Sequence, residues 1–386
     1  MRDSESSESE LNTVDPQAKL RAFIIPIIFV ILVAILLSIF TIDFYEMIQA
    51  TDPDFTPPDI SPIPENPADP GGIAYGALLN MVFYVMLAFI GGVVVLVVIK
   101  KGFVQFLAFF FAALMGLSWF VLGIFYGDVV LFNVINLLWD FFPLFIQQRI
   151  DSFFSWSVTI GSLNLYVFHI LLYFFGAGLG LLGTISFGIQ TFDKIWVKNV
   201  MMVFFGAMIG SMLAVHLGLL TTLLILIGLS IYDIFAVFRG PLKGIIEHGR
   251  KTAEEFEKNI ELLNEGEIEY EKVPLLPALP VYSTPLINIG LGDFAFFSML
   301  ISAAVVISAS LSNSISLPLI ATLPLVFTLL GLFLGAYFTF KLLEKERALP
   351  GLPLPIFGGL GFLTISILIG LFFGFFSLGS IYDLFI

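Results

Sequence analysis

Cysteine is absent from the 386 residues, which excludes disulfides, thiolate nucleophiles and cysteine metal sites and leaves the redox compartment unread. Histidine is nearly absent: His169, His216 and His248 lie far apart, and no HExxH pair exists to hold a catalytic zinc. No GxSxG setting occurs, so nucleophilic serine chemistry has no support. Charge is scarce too, at 12% of residues, and its net balance is −13. The acidic excess sits in the N-terminal tail, the first long loop and one later connector. There it reads as solvated flanks that keep off anionic lipid, and it argues against nucleic acid as a partner.

What is present is apolar: 58% hydrophobic and 15% aromatic residues exclude an ordinary globular protein. The fold class read from this is an all-α polytopic membrane protein with about nine transmembrane helices. The predicted spans cover residues 22–42, 73–99, 103–126, 158–187, 195–215, 219–238, 286–308, 319–340 and 354–376. Residues 1–17 are polar and acidic, which predicts disorder, and the run after them is of full spanning length without a small-residue cleavage site, unlike a signal peptide. Residues 43–72 carry seven prolines and no lysine or arginine, the composition of an extended loop. Residues 127–156 are apolar but broken by Asp140, Pro143, Gln147, Gln148, Arg149 and Asp151, so they read as an interfacial or re-entrant segment, with a tenth span as the other reading. Gly206-x-x-x-Gly210-Ser211 offers a flat face for close helix packing.

Orientation follows from the basic residues. Lys19, Arg21, Lys100, Lys101, Lys194, Lys198, the six lysines and arginines of 239–285, and Lys341, Lys345 and Arg347 all fall on one side of nine spans, with Arg149 the dissenter. This predicts a cytoplasmic N-terminus and an external C-terminus. The chain then divides into a cytoplasmic tail (1–21), an N-terminal membrane portion with helices 1–6 (22–238), a cytoplasmic loop (239–285) and a C-terminal membrane portion with helices 7–9 (286–386).

Two carboxylates stand inside predicted spans, where a charge is costly and marks a functional hypothesis. Asp233, in Ile231-Tyr232-Asp233, lies about six residues, ~9 Å, from the end of the sixth span; Asp293, in Gly290-Leu291-Gly292-Asp293, lies about seven residues, ~10 Å, into the seventh. Antiparallel neighbours would hold both at one level. Two carboxylates in a low-dielectric site share a proton: the charged one takes a proton from water and the neutral one donates to a carbonyl oxygen, which is the requirement for peptide hydrolysis without a covalent intermediate. Gly290 and Gly292 clear side chains from the approach to Asp293. Tyr232 reads equally as a hydrogen-bonding neighbour of the site or an interfacial tyrosine. His169, Asn164 and His216 read as interhelical hydrogen-bonding groups, and Asp140 as interfacial. No metal or cofactor is called for. The competing class is a transporter or ion-conducting protein that uses the two aspartates to bind a cation.

The Tyr-Asp pair, the Gly-x-Gly-Asp sixty residues on, and Ala348-Leu349-Pro350-Gly351-Leu352-Pro353 before the last span together resemble the presenilin and signal peptide peptidase family of intramembrane aspartyl proteases, in the style of the archaeal presenilin homologues. A prepilin-peptidase reading shares a Gly-x-Gly-Asp element but leaves the third motif unexplained. The resemblance implies that Asp233 and Asp293 are the catalytic pair, supported by Tyr232, Gly290, Leu291 and Gly292. It implies that Pro350, Gly351 and Leu352 occupy the Pro-Ala-Leu element beside the active site, with glycine in place of alanine. A literal Pro277-Ala278-Leu279-Pro280 comes at the wrong place in the order and reads as a linker. The implied substrates are transmembrane segments of other proteins, cut near the cytoplasmic side; accessory subunits and oligomeric state stay open. Within the connector, residues 252–263 can form an amphipathic helix followed by an acidic strip, read first as a solvated link and, by the resemblance, as a gate.

Overall fold

The computed structural model describes residues 16–56, 60–63, 70–160, 163–188, 195–241, 243–244, 281–283, 288–312, 318–343 and 350–383. The amphipathic stretch 252–263, the acidic strip after it, residues 277–280 and the tail 1–15 lie outside the described residues. Among the described residues, nine helices are long and apolar enough to cross a bilayer. The long helices are α1 (Pro16–Thr51), α2 (Pro70–Lys100), α3 (Val104–Leu138), α5 (Val167–Gly188), α6 (Ile195–His216), α7 (Leu219–Phe238), α8 (Leu291–Ser312), α10 (Leu323–Leu343) and α11 (Pro353–Phe372). Shorter helices are α4 (Leu144–Ser155), α9 (Pro318–Ala321) and α12 (Leu378–Asp383). Two antiparallel hairpins complete the set: β1 (Ser157–Ile160) with β2 (Leu163–Tyr166), and β3 (Val281–Ser283) with β4 (Asn288–Gly290).

Several ends differ from the sequence-based expectation, each for a local reason. α1 reaches Thr51, beyond 42, because a helix does not have to stop where the hydrocarbon does; its 36 residues span ~54 Å against a core of ~30 Å. α3 continues to Leu138, beyond 126, because Gly127 is packed against Leu172 and Phe175 of α5 and the residues after it are apolar again. It ends in a 3-10 turn (Trp139–Phe141) before Pro143, where Gln147 Nε2 donates to the carbonyls of Trp139 and Phe142 at 2.9 and 3.1 Å. The fourth predicted span does not start at 158: Ser-Val-Thr-Ile and Leu-Asn-Leu-Tyr alternate and are rich in strand formers, and they pair as β1 and β2. The seventh does not start at 286, because Asn288–Gly290 is extended and pairs with Val281–Ser283. Two glycines so close together disfavour a helix over that stretch. The tenth span at 127–156 is replaced by the end of α3 and the 12-residue α4, which at ~18 Å is too short to cross.

The chain forms two compact units. The first comprises residues up to Ile39, Ile195–Thr222 and Val281–Ile386. Its centre is α8, whose Phe294, Phe297, Met299, Leu300 and Ile301 are fully buried. The small-residue face expected on α6 packs there: a Cβ on Gly206 would stand 2.5 Å from Phe294 Cβ, and one on Gly210 would overlap Ala295 O and Ser298 Oγ. Such close approach lets hydroxyls reach across. Ser298 Oγ donates to Gly206 O at 2.8 Å, and Ser302 Oγ donates to Ser211 Oγ at 3.1 Å. On another side of the unit, Gly331 and Gly335 of α10 meet the backbone of Gly358 and Leu354 on α11, and Gly359 of α11 meets Leu300 of α8. These contacts fix the start of α11 relative to α8.

The second unit comprises Phe40–Lys194 and Leu223–Pro280. α3 and α5 approach closely through Gly116, Gly123, Gly176 and Gly180; a Cβ on Gly180 would stand 2.8 Å from Gly116 O. Asn133 Nδ2 on α3 donates to Phe40 O on α1 at 2.8 Å. Asn80 on α2 holds Ile63 of the proline-rich loop by two bonds of 2.9 Å, accepting from its N–H and donating to its carbonyl. On α7, Gly228 packs against Met81 and Val85 of α2.

Candidate active site

Asp293 belongs to the first unit. The chain arrives as β4 and passes through Leu291 and Gly292 into the first turn of α8, so Asp293 sits at a strand-to-helix junction, the third residue of its helix. This corrects the expectation of about seven residues of helix before it. Leu291 is half-buried, Gly292 is exposed and Asp293 is half-buried. A Cβ on Gly290 would lie 3.6 Å from Asp293 Oδ2, and one on Gly292 3.6 Å from the ring of Phe296, so both glycines leave ordinary van der Waals room on this approach.

The third motif lies against the second. A Cβ on Gly351 would stand 3.0 Å from Asp293 Oδ2 and 3.3 Å from Oδ1, so the glycine backbone abuts the carboxylate itself. Leu352 is buried and is the N-cap of α11, with Pro353 at the first helical position, where its missing N–H costs nothing. Pro350 is half-buried before the bend. Pro350, where this element begins, comes 57 positions after Asp293 in the sequence, and the glycine contacts of α10 and α11 close that distance.

Asp233 belongs to the second unit, near the end of α7, half-buried between Tyr232 and the exposed Ile234. Tyr232 Oη donates to Ala88 O on α2 at 3.2 Å, and its ring meets Phe89 edge-on at 6.5 Å. The Tyr232 hydroxyl thus fastens α7 to α2.

Asp128, near the far end of α3, was missed by the sequence reading. It is half-buried in a membrane span and interacts electrostatically with His169, the third residue of α5. The signal was available: a carboxylate inside an apolar run. It was hidden because the predicted helix stopped two residues earlier. His216 Nδ1 lies 2.8 Å from Met212 O one turn back, a hydrogen bond within α6 rather than between helices. Among the described residues, no group of three or more histidine, cysteine, aspartate or glutamate side chains is placed to hold a metal.

No curated protein matches the chain. The family model described as Presenilin matches residues 17–272, about two thirds of the sequence; the match includes Tyr232 and Asp233 and ends before Asp293. With nine bilayer-length helices among the described residues, the molecule is an integral, multi-pass membrane protein, and it belongs to the presenilin family of intramembrane aspartyl proteases.

Proposed function

We propose that the protein is an intramembrane aspartyl endopeptidase in which Asp233 and Asp293 act together as the catalytic dyad on transmembrane segments of other membrane proteins. The observation that carries this reading is the contact between Gly351 and the Asp293 carboxylate: three short motifs define the family pattern, and two of them, far apart in sequence, meet at a reacting group. One ionised aspartate removes a proton from water as its oxygen attacks the scissile carbonyl carbon, and the other, neutral, donates its proton to the carbonyl oxygen. Collapse of the tetrahedral species then breaks the C–N bond, with a proton passing to the leaving nitrogen. The pair titrates as a unit, so the rate falls on both sides of an optimum pH. Hydrolysis requires a locally unwound substrate, because helical carbonyls are hydrogen-bonded and shielded.

Water reaches the dyad from the cytoplasmic side, where the N-terminus and the connector 239–285 lie, and the C-terminus is outside. The test is cleavage of a transmembrane peptide by the purified chain in lipid. Asp233→Asn and Asp293→Asn should each abolish it while thermal unfolding stays at the wild-type temperature, and a hydroxyl-bearing mimic of the tetrahedral intermediate should inhibit competitively. Cleavage that survives either substitution defeats the assignment.

A further inference from the structure

Outside the candidate active site, the second unit contains an open, groove-like cavity of about 340 Å³ between the end of α3 and α4, lined by Leu131, Ile135, Ile146, Arg149, Ile150, Phe153 and Phe154. Every lining side chain but one is apolar, and the volume falls at the low end of ligand pockets. α4 is built to form it. Ile146, Ile150, Phe153 and Phe154 recur at helical spacing on one face, and Gln148, Arg149, Ser152 and Ser155 are exposed. Phe154 packs on Phe168 of α5 at 4.7 Å, which holds the helix in place.

The depth of the cavity can be estimated from α3. Its 35 residues span ~52 Å, more than a ~30 Å hydrocarbon core, so with Lys100 and Lys101 just before its start, its far end lies in the interfacial layer. Trp139 and Trp156 bracket α4, the position of tryptophans that anchor at a membrane interface. Arg149 is the one lysine or arginine between Lys101 and Lys194. A guanidinium binds phosphate through paired charge-assisted hydrogen bonds, and its aliphatic stem can follow an apolar wall to reach headgroup depth.

We propose that this cavity holds one acyl chain of a membrane phospholipid whose phosphate is bound by Arg149. The site is independent of the proteolytic reading. It explains why a single arginine breaks the charge rule that the other basic residues obey: its partner is a lipid rather than the cytosol.

The test is native mass spectrometry of the purified full chain, titrated with phosphatidylcholine and with a galactolipid of the same acyl chains. The zwitterionic headgroup keeps the chain's net charge of −13 out of the comparison. One phosphatidylcholine should be retained in preference to the galactolipid by about tenfold, the value of a charged hydrogen bond at its low end. Arg149→Gln should remove the preference, and Ile135→Trp, which fills the cavity, should remove retention of that one lipid while other bound lipids persist. Equal retention of the two lipids by the wild type, an unchanged preference in Arg149→Gln, or unchanged retention in Ile135→Trp each overturns the proposal. Displacement of the lipid by millimolar inorganic phosphate does so too, because the site would then be one for free anions.

Discussion

A single hydrogen atom at position 351 sets the room around Asp293. Alanine there would bring a Cβ to 3.0 Å from Oδ2, close enough that the carboxylate must move by a few tenths of an ångström. Gly351→Ala should therefore retain cleavage, as the family's usual residue implies, while Gly351→Val should lose at least about tenfold in kcat/KM, a cost of ~1.4 kcal/mol in the transition state. Thermal unfolding of the valine variant should stay within about 1 kcal/mol of wild type, since Gly351 is half-buried at a bend rather than deep in the core. Loss of fold in place of loss of rate would remove Gly351 from the site. Tyr232 makes the opposite prediction. Its hydroxyl is bonded to Ala88 O, so Tyr232→Phe should lower stability by less than about 1 kcal/mol and leave cleavage essentially intact. A large fall in kcat with unchanged stability would place the hydroxyl in the chemistry.

At the scale of elements, what holds Asp293 is the α6–α8 contact and what holds Gly351 is the α10–α11 contact. Both depend on glycines whose missing side chains let backbones touch, and neither can yield without moving a helix. Gly210→Leu should destabilise the protein by roughly 1–3 kcal/mol, the cost of overpacking, seen as an earlier thermal transition in detergent. An unchanged transition would mean that α6 and α8 do not pack as described. The proline-rich loop offers a separable check: Asn80→Ala removes both bonds to Ile63, so proteolysis within 57–69 should accelerate with little change in the unfolding of the helices. This is also the scale at which the sequence misled. The small-residue face of α6 was readable as Gly206-x-x-x-Gly210, but the ends of α3, α5 and α8 were not, because hydropathy reports depth in lipid whereas helix ends are decided by caps, glycines and strand pairing. Asp293 thus moved from the body of a helix to its first turn.

For the whole molecule, if the nine bilayer-length helices among the described residues are its crossings, the termini should lie on opposite faces of the membrane. Because the chain has no cysteine, single substitutions report this directly: Ser6→Cys and Ile386→Cys should react with a membrane-impermeant maleimide from opposite sides of oriented vesicles, the first from the cytoplasmic side. Labelling from one side only would mean an even number of crossings. The sequence by itself determined that the chain is a bundle of membrane-crossing helices, since its long unbroken apolar runs suit helices, which satisfy their own backbone in lipid, and not the alternating strands of a closed barrel, and it singled out Asp233 and Asp293 as candidates, since charge inside an apolar run is costly. The tertiary structure alone decided that Gly351 lies against the Asp293 carboxylate, that the Tyr232 hydroxyl donates to Ala88 O on α2, and that residues 144–155 fold as a short helix over an apolar cavity. Each of these depends on which helices pack side by side, and packing is set by the fit of small residues against a partner that may lie anywhere in the chain, information that no local stretch of sequence contains.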